Sequence, residues 1–197
     1  PEGEKRELVV ENHPKNPDMG THTVTLSREI YIDAEDFMEV PANKFQRMYP
    51  GFEVRLKGAY IVKCDSWDVD ENGNVTCVYC TVDFDTKSGM PGADRKVKGT
   101  IHWVDSKTAV DAEVRVYSNL FTDASPDAAD KNFLDCMNPD SLEIVTGCKV
   151  EAGLAEAVAP ASFQFMRMGY FCLDNKDSKP GHLVFNRSVS LKDSFKK

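Results

Sequence analysis

Thr21-His22-Thr23-Val24-Thr25-Leu26-Ser27-Arg28-Glu29-Ile30-Tyr31-Ile32 sets Val24, Leu26, Ile30 and Ile32 on even positions with polar residues between them. Successive side chains of a strand point to opposite faces, so this alternation is the signature of a strand that buries one face and wets the other. Downstream, Val54-Arg55-Leu56-Lys57-Gly58-Ala59-Tyr60-Ile61-Val62-Lys63 reads as more β-structure, interrupted at Gly58, where a break or a bulge is expected. Asp70-Glu71-Asn72-Gly73-Asn74 then places an Asn-Gly pair between two β-rich runs. Both residues tolerate the positive φ that a tight hairpin requires, so the segment predicts a turn.

The same reading continues along the chain, with strands expected over residues 97–104, 112–117, 142–150, 162–173 and 183–189. Helical candidates are short: 34–40 behind Asp33 as a possible N-cap, 42–48, and 128–137. Polar stretches at 85–95 and 122–130 read as loops, and the second suggests a seam between a first β unit over 1–120 and a second over 121–197. Many short strands punctuated by Gly, Pro and Asn define an all-β protein with minor α content and a barrel or sandwich architecture.

With 41% hydrophobic residues, including 11 Phe, 6 Tyr and 2 Trp, the 197-residue chain can build a real core, which excludes wholesale disorder. No run approaches the roughly 18 apolar residues a membrane helix needs. No basic-then-apolar leader opens the sequence either, so a soluble, cytoplasmic setting without a membrane partner is expected. The chain opens at Pro1 and is expected to be an excised or processed piece. A net charge of −8 speaks at first against nucleic acid, but binding depends on the local field over the contact face and not on the sum.

Chemistry is sparse. No Gly-x-Ser-x-Gly elbow, phosphate loop, His-Glu-x-x-His helix or dinucleotide fingerprint occurs, and His13, His22, His102 and His182 are scattered, so no catalytic residue is assigned. The six cysteines (Cys64, Cys77, Cys80, Cys136, Cys148, Cys172) are an even number, as in a disulfide framework, but in a chain with an ample core they read as free thiols. Cys77 and Cys80 stand at metal-like spacing without a second pair, and on a strand two side chains three apart face opposite ways, so no metal site is expected.

Two segments carry more. Asp94-Arg95-Lys96-Val97-Lys98-Gly99-Thr100-Ile101-His102-Trp103-Val104 leads three cations into an aromatic-bearing strand, which suits phosphate contact as well as a solvated strand entry. Ser162-Phe163-Gln164-Phe165-Met166-Arg167-Met168-Gly169-Tyr170-Phe171-Cys172-Leu173-Asp174 puts Gln164 and Arg167 on opposite faces of any unbroken strand, unless a bulge or strand end, which Gly169 would mark, intervenes.

These segments resemble the Lys-Val-Lys-Gly-x-Ile-His-Trp-Val and Phe-Gln-Phe-x-Arg-x-Gly-Tyr-Phe-Cys-x-Asp signatures of the C-terminal anticodon-binding region of the glutaminyl-tRNA synthetase family. Asn12-His13-Pro14, Pro17-x-Met19-Gly20, Val54-Arg55-Leu56 and Val184-Phe185-Asn186-Arg187-Ser188-Val189-Ser190-Leu191-Lys192-Asp193 extend the likeness over essentially the whole chain. The resemblance implies two interleaved β-barrels that exchange strands and grip the anticodon loop of glutamine tRNA. A separate N-terminal catalytic domain of the class I ligase would activate glutamine with ATP, no cofactor would be held in this fragment, and the fragment would be a monomer. It implies that Gln164 and Arg167 read the central anticodon uridine and that Arg55 lies near the third base. Lys63 is implied near the first, where Ser66 stands in place of an Arg expected of familiar bacterial members. Arg95, Lys96, Lys98 and Arg187 are candidates for phosphate contact. Two other readings exist: the anticodon-binding domain of a eukaryote- or archaea-type glutamyl-tRNA synthetase, and a secreted β-sandwich interaction module.

Overall fold

The computed structural model describes residues 3–191. The chain divides after Thr108 into two compact units. This is earlier than the seam expected near residue 120, because residues 110–117 form a central strand of the second unit's sheet.

The first unit contains β1 (Arg6–Glu11), β2 (Thr21–Leu26), β3 (Ile30–Tyr31), β4 (Glu53–Leu56), β5 (Ile61–Val69), β6 (Val75–Asp83), β7 (Gly99–Ile101) and β8 (Val104–Asp105). Its main sheet runs β6-β5-β4-β7, and β1-β2 and β3-β8 form separate two-stranded ladders. The quoted alternating run is two strands, not one. It breaks at Ser27, whose backbone N–H and hydroxyl both donate to the buried carboxylate of Asp105. That carboxylate also accepts from the N–H groups of Lys107 and Thr108 and from the Thr108 hydroxyl, tying β2 to the turn after β8. The sequence does break at Gly58, where a tight turn with φ of 70° joins β4 to β5. A Cβ there would come within 2.5 Å of the Val10 side chain. The Asn72-Gly73 turn closes the β5-β6 hairpin as expected, with the Asp70 N–H donating to Asn74 O at 2.8 Å. Leu8, Leu26, Phe37, Val54, Leu56, Val62, Ile101 and Trp103 are buried together in this unit's core.

The second unit contains β9 (Val110–Tyr117), β10 (Leu142–Val150), β11 (Ser162–Phe165), β12 (Gly169–Leu173) and β13 (Leu183–Val189). They form one sheet in the order β10-β9-β13-β12-β11, in which only the β9-β13 pair is parallel. Ala112, Val150, Phe171, Leu173, Leu183 and Phe185 are its buried core. The ranges expected for β10 and β13 match residue for residue, whereas the strand expected over 162–173 is a hairpin of two.

The all-β class is correct, and each sheet among the described residues is open, with its strands drawn from a single unit. The three helical candidates shrink to 3-10 turns at Ala34–Asp36 and Phe133–Cys136 and to irregular chain over 42–48. Residues 36–38 instead pair with Met48 through Met48 N–H to Asp36 O (2.9 Å) and Met38 N–H to Met48 O (3.1 Å), which turns Phe37 into the core. Tertiary pairing thus outweighs a weak local helix propensity.

Candidate nucleic-acid interface

In the β11-β12 hairpin Phe163 pairs with Phe171, Gln164 with Tyr170, and Phe165 with Gly169. Phe163, Phe165 and Phe171 face the core with Phe185: the Phe165 and Phe171 rings stack at 4.5 Å, and Phe163 and Phe165 meet Phe185 edge-on at 6.0 and 5.2 Å. Such pairs contribute about 0.5–1.5 kcal/mol beyond area burial and hold the hairpin rigid. Because side chains alternate, Gln164 and Tyr170 then point outward, and both are exposed.

Arg167 lies in the three-residue connection Met166-Arg167-Met168, closed by the Met168 N–H donating to Phe165 O at 2.9 Å. Its φ is 64°, in the left-handed region where a non-glycine residue costs on the order of 1 kcal/mol. The difficulty posed by two candidate residues three apart on one strand therefore dissolves, since Arg167 belongs to the turn and Gln164 to the strand leading into it. Gly169 follows with φ of 144°, and a Cβ there would stand 2.5 Å from Val189 O and 3.4 Å from Arg187 Cδ. The glycine lets β13 approach and brings the half-buried Arg187 alongside the hairpin.

A polar network lies beside it on the same sheet, joining residues far apart in sequence. Asp174 accepts from the N–H groups of Lys176 and Asp177 (both 2.8 Å) and from the Asn186 amide (2.7 Å), and Asn186 Oδ1 accepts from the Tyr117 hydroxyl (2.8 Å). The Asp177 N–H first, then the Asn186 amide and the Lys176 N–H, pull the Asp174 carboxyl down to about 2. Arg115 bonds Asp177 at 2.6 Å and Glu113 at 2.7 Å, and these carboxylates raise its pKa further. Sequence reasoning missed Tyr117 and Asn186, for the pair spans 69 positions and no local pattern announces it.

The candidates of the first unit divide into two kinds. Arg55 is engaged in structure: its guanidinium donates to the carbonyls of Thr86 (2.6 Å), Ala93 (3.3 Å) and Arg95 (3.0 Å), pinning the 84–95 segment onto β4. Arg95 lies at 3.1 Å from Glu53 and 3.4 Å from Asp83. Lys63, opposite Glu53 and Thr81 in the ladder, and Lys96 and Lys98, just before β7, are exposed. Gly99 of the same motif is required by space: a Cβ would collide with the backbone carbonyl of Gln46 and touch Val54. Trp103 turns inward and donates its indole N–H to Lys57 O at 3.0 Å. Among the described residues no three His, Cys, Asp or Glu side chains group in a way that could hold a metal ion, and no helix is long and apolar enough to cross a membrane.

The hairpin of the second unit presents Gln164 and Tyr170 outward with Arg167 in its turn, and the first unit, taken by itself, exposes Lys63, Lys96 and Lys98. The family comparison gives the class. Residues 1–83 and 100–174 each match a model described as tRNA synthetases class I (E and Q), anti-codon binding domain. The chain belongs to that family. Its full length is 50% identical to the glutamine–tRNA ligase of Cupriavidus taiwanensis and 48% identical to that of Vibrio vulnificus, and it is 49% identical to that of Colwellia psychrerythraea. The chain spans 34–35% of the length of these relatives, matching their C-terminal region. Neither the glutamyl-type reading nor the secreted-module reading is favoured by these relatives.

Proposed function

We propose that this chain binds the anticodon loop of glutamine tRNA and supplies the discrimination step of a glutamine–tRNA ligase. The observation that carries the reading is likeness at 50% identity over the entire chain to proteins of that name, and the reading takes the exposed Gln164 and the half-buried Arg167 of the β11-β12 hairpin as its base-reading pair. An unstacked loop base offers its edge, to which a guanidinium presents paired donors and a primary amide one donor and one acceptor group. Tyr170, directly across from Gln164, adds an outward ring on which a base can stack. Lys63, Lys96 and Lys98 would neutralise phosphates in spite of the net charge of −8. On this reading the two units correspond to the family's two β-barrels, and the chain acts as a monomeric, cytoplasmic part of the ligase. ATP and glutamine are handled by a catalytic domain outside it.

The test is fluorescence anisotropy with glutamine tRNA and with the same tRNA altered at the central anticodon base. Wild-type chain should prefer the former. Arg167→Ala should weaken it by about 1–3 kcal/mol and erase most of the preference, while Arg167→Lys restores part of the affinity. Equal affinity for both tRNAs together with an unchanged Arg167→Ala titration would overturn the reading, and a preference for glutamate tRNA would move the chain to the glutamate branch of the family.

A further inference from the structure

Cys64 and Cys80 are direct partners in the antiparallel β5-β6 ladder, so their side chains leave the same face. Cys64 directs both of its backbone groups to the opposite neighbour: its N–H donates to Phe52 O at 3.1 Å and its C=O accepts from Gly51 N–H at 2.9 Å. The Cys64-Cys80 pair is therefore a non-hydrogen-bonded one, in which the two Cα atoms stand about 4.5 Å apart and the side chains are closest. A third sulfur meets Cys80. Met48 Sδ lies 3.7 Å from Cys80 Sγ, and the Met48 backbone is fixed at both N–H and C=O by residues 36 and 38.

The spacing matters because two sulfurs about 2.3 Å from one three-coordinate metal ion stand about 4.0 Å apart, close to the separation of Met48 Sδ and Cys80 Sγ. Cys64 and Met48 are 0% and 2% exposed, and Val62, Trp67, Val78 and Val82 wall the same region. Cys80 sits on the end strand of the sheet and is exposed, which gives an ion a path in. Two thiols and a thioether in apolar surroundings are a soft donor set, suited to a monovalent soft cation and ill suited to Mg²⁺ or Ca²⁺.

We propose that Cys64, Cys80 and Met48 form a binding site for Cu(I). The ion displaces the two thiol protons to solvent, two Cu–S(thiolate) bonds form, the thioether completes a three-sulfur shell, and the site carries a net charge of −1 without any change of oxidation state. Lys63, the neighbouring candidate tRNA contact on β5, leaves the opposite face of the strand from Cys64.

Anaerobic transfer of Cu(I) from its bicinchoninate complex to the reduced 197-residue chain tests it. One equivalent should move to the chain with a new ultraviolet sulfur-to-copper absorption. Cys80→Ser and Cys64→Ala should each abolish this tight equivalent, and Met48→Leu, which preserves core volume, should weaken it about tenfold. Cys77→Ser, on the opposite face of β6, should leave it intact. Circular dichroism of every variant confirms folding. Retention in folded Cys80→Ser, loss in Cys77→Ser, an unmoved affinity in Met48→Leu, or no transfer to wild type would each overturn the site. So would rapid closure of a Cys64-Cys80 disulfide that copper cannot prevent under mild peroxide.

Discussion

Replacing Arg55 by Ala removes three hydrogen bonds to the carbonyls of Thr86, Ala93 and Arg95 and leaves the Arg95–Glu53 ion pair to hold the far end of the 84–95 segment to β4. Thr86 is itself buried, and its hydroxyl accepts from Ile61 N–H at 2.8 Å while donating to Asp83 O, so loosening its carbonyl also loosens the start of β5. A hydrogen bond contributes about 0.5–1.5 kcal/mol net, and a charged donor somewhat more. Arg55 is half-buried, which sets each bond in the lower half of that range, about 0.5–1 kcal/mol, so Arg55→Ala should cost about 1.5–3 kcal/mol. The sequence has only two tryptophans, Trp67 and Trp103, and both belong to the first unit, so tryptophan fluorescence follows that unit's unfolding. With a urea dependence of roughly 1–3 kcal/mol per molar, the midpoint should fall by about 1–2 M. Arg55→Lys should recover less than half of this, since one ammonium cannot span three carbonyls as a fork does. A midpoint for Arg55→Ala indistinguishable from wild type would refute the clamp and return the guanidinium to the pool of groups available for RNA.

Two further outcomes follow from the geometry. Asp174 has its carboxyl lowered to about 2 in the folded chain against an ordinary 3.8, so the stability it contributes is present above pH about 4 and is lost as pH falls toward 2. Wild type should therefore exceed Asp174→Asn in thermal stability at pH 6 and converge with it near pH 2 by circular dichroism, and a gap constant with pH would exclude the linkage. Gly99→Ala forces a methyl against Gln46 O and Val54, and should lower the stability of the first unit by about 1–3 kcal/mol on the tryptophan signal; a neutral effect would mean that residues 46–54 yield freely.

The strands over 142–150 and 183–189 were legible as apolar and β-branched runs between turn residues, although neither alternates in burial: β10 is exposed along most of its length and bulges between Val145 and Cys148, and β13 is buried at Leu183, Val184 and Phe185 in succession. What escaped depends on partners distant in the chain. The break after Leu26 is made by Asp105, the displacement of helix at 34–40 by Met48, and the parallel β9-β13 pairing by no local feature at all. At the site, the Gln164-Arg167 pair was legible through family resemblance, whereas spacing alone set the two at odds, since Gly169 is compatible with both a bulge and a hairpin. Arg55 shows the converse: its motif marks it as a contact, and only the folded backbone reveals three carbonyls already filling its fork.

The hairpin also explains how selectivity could arise on so acidic a chain. A long arginine in a loose loop would lose up to about 2 kcal/mol of rotamer freedom on binding, and backbone ordering would add to that loss. Here the stacked Phe165 and Phe171 rings and the close passage of Val189 O over Gly169 hold the turn before any ligand arrives. Arg167 is the third residue of the turn closed by Met168 N–H to Phe165 O, the position that takes a positive φ in a type II turn. A glycine would satisfy the backbone more cheaply but would offer no donors. On the proposed function, the strain of on the order of 1 kcal/mol accompanies a backbone that is ordered before binding, so only the rotamer freedom of the arginine side chain is lost when the ligand arrives.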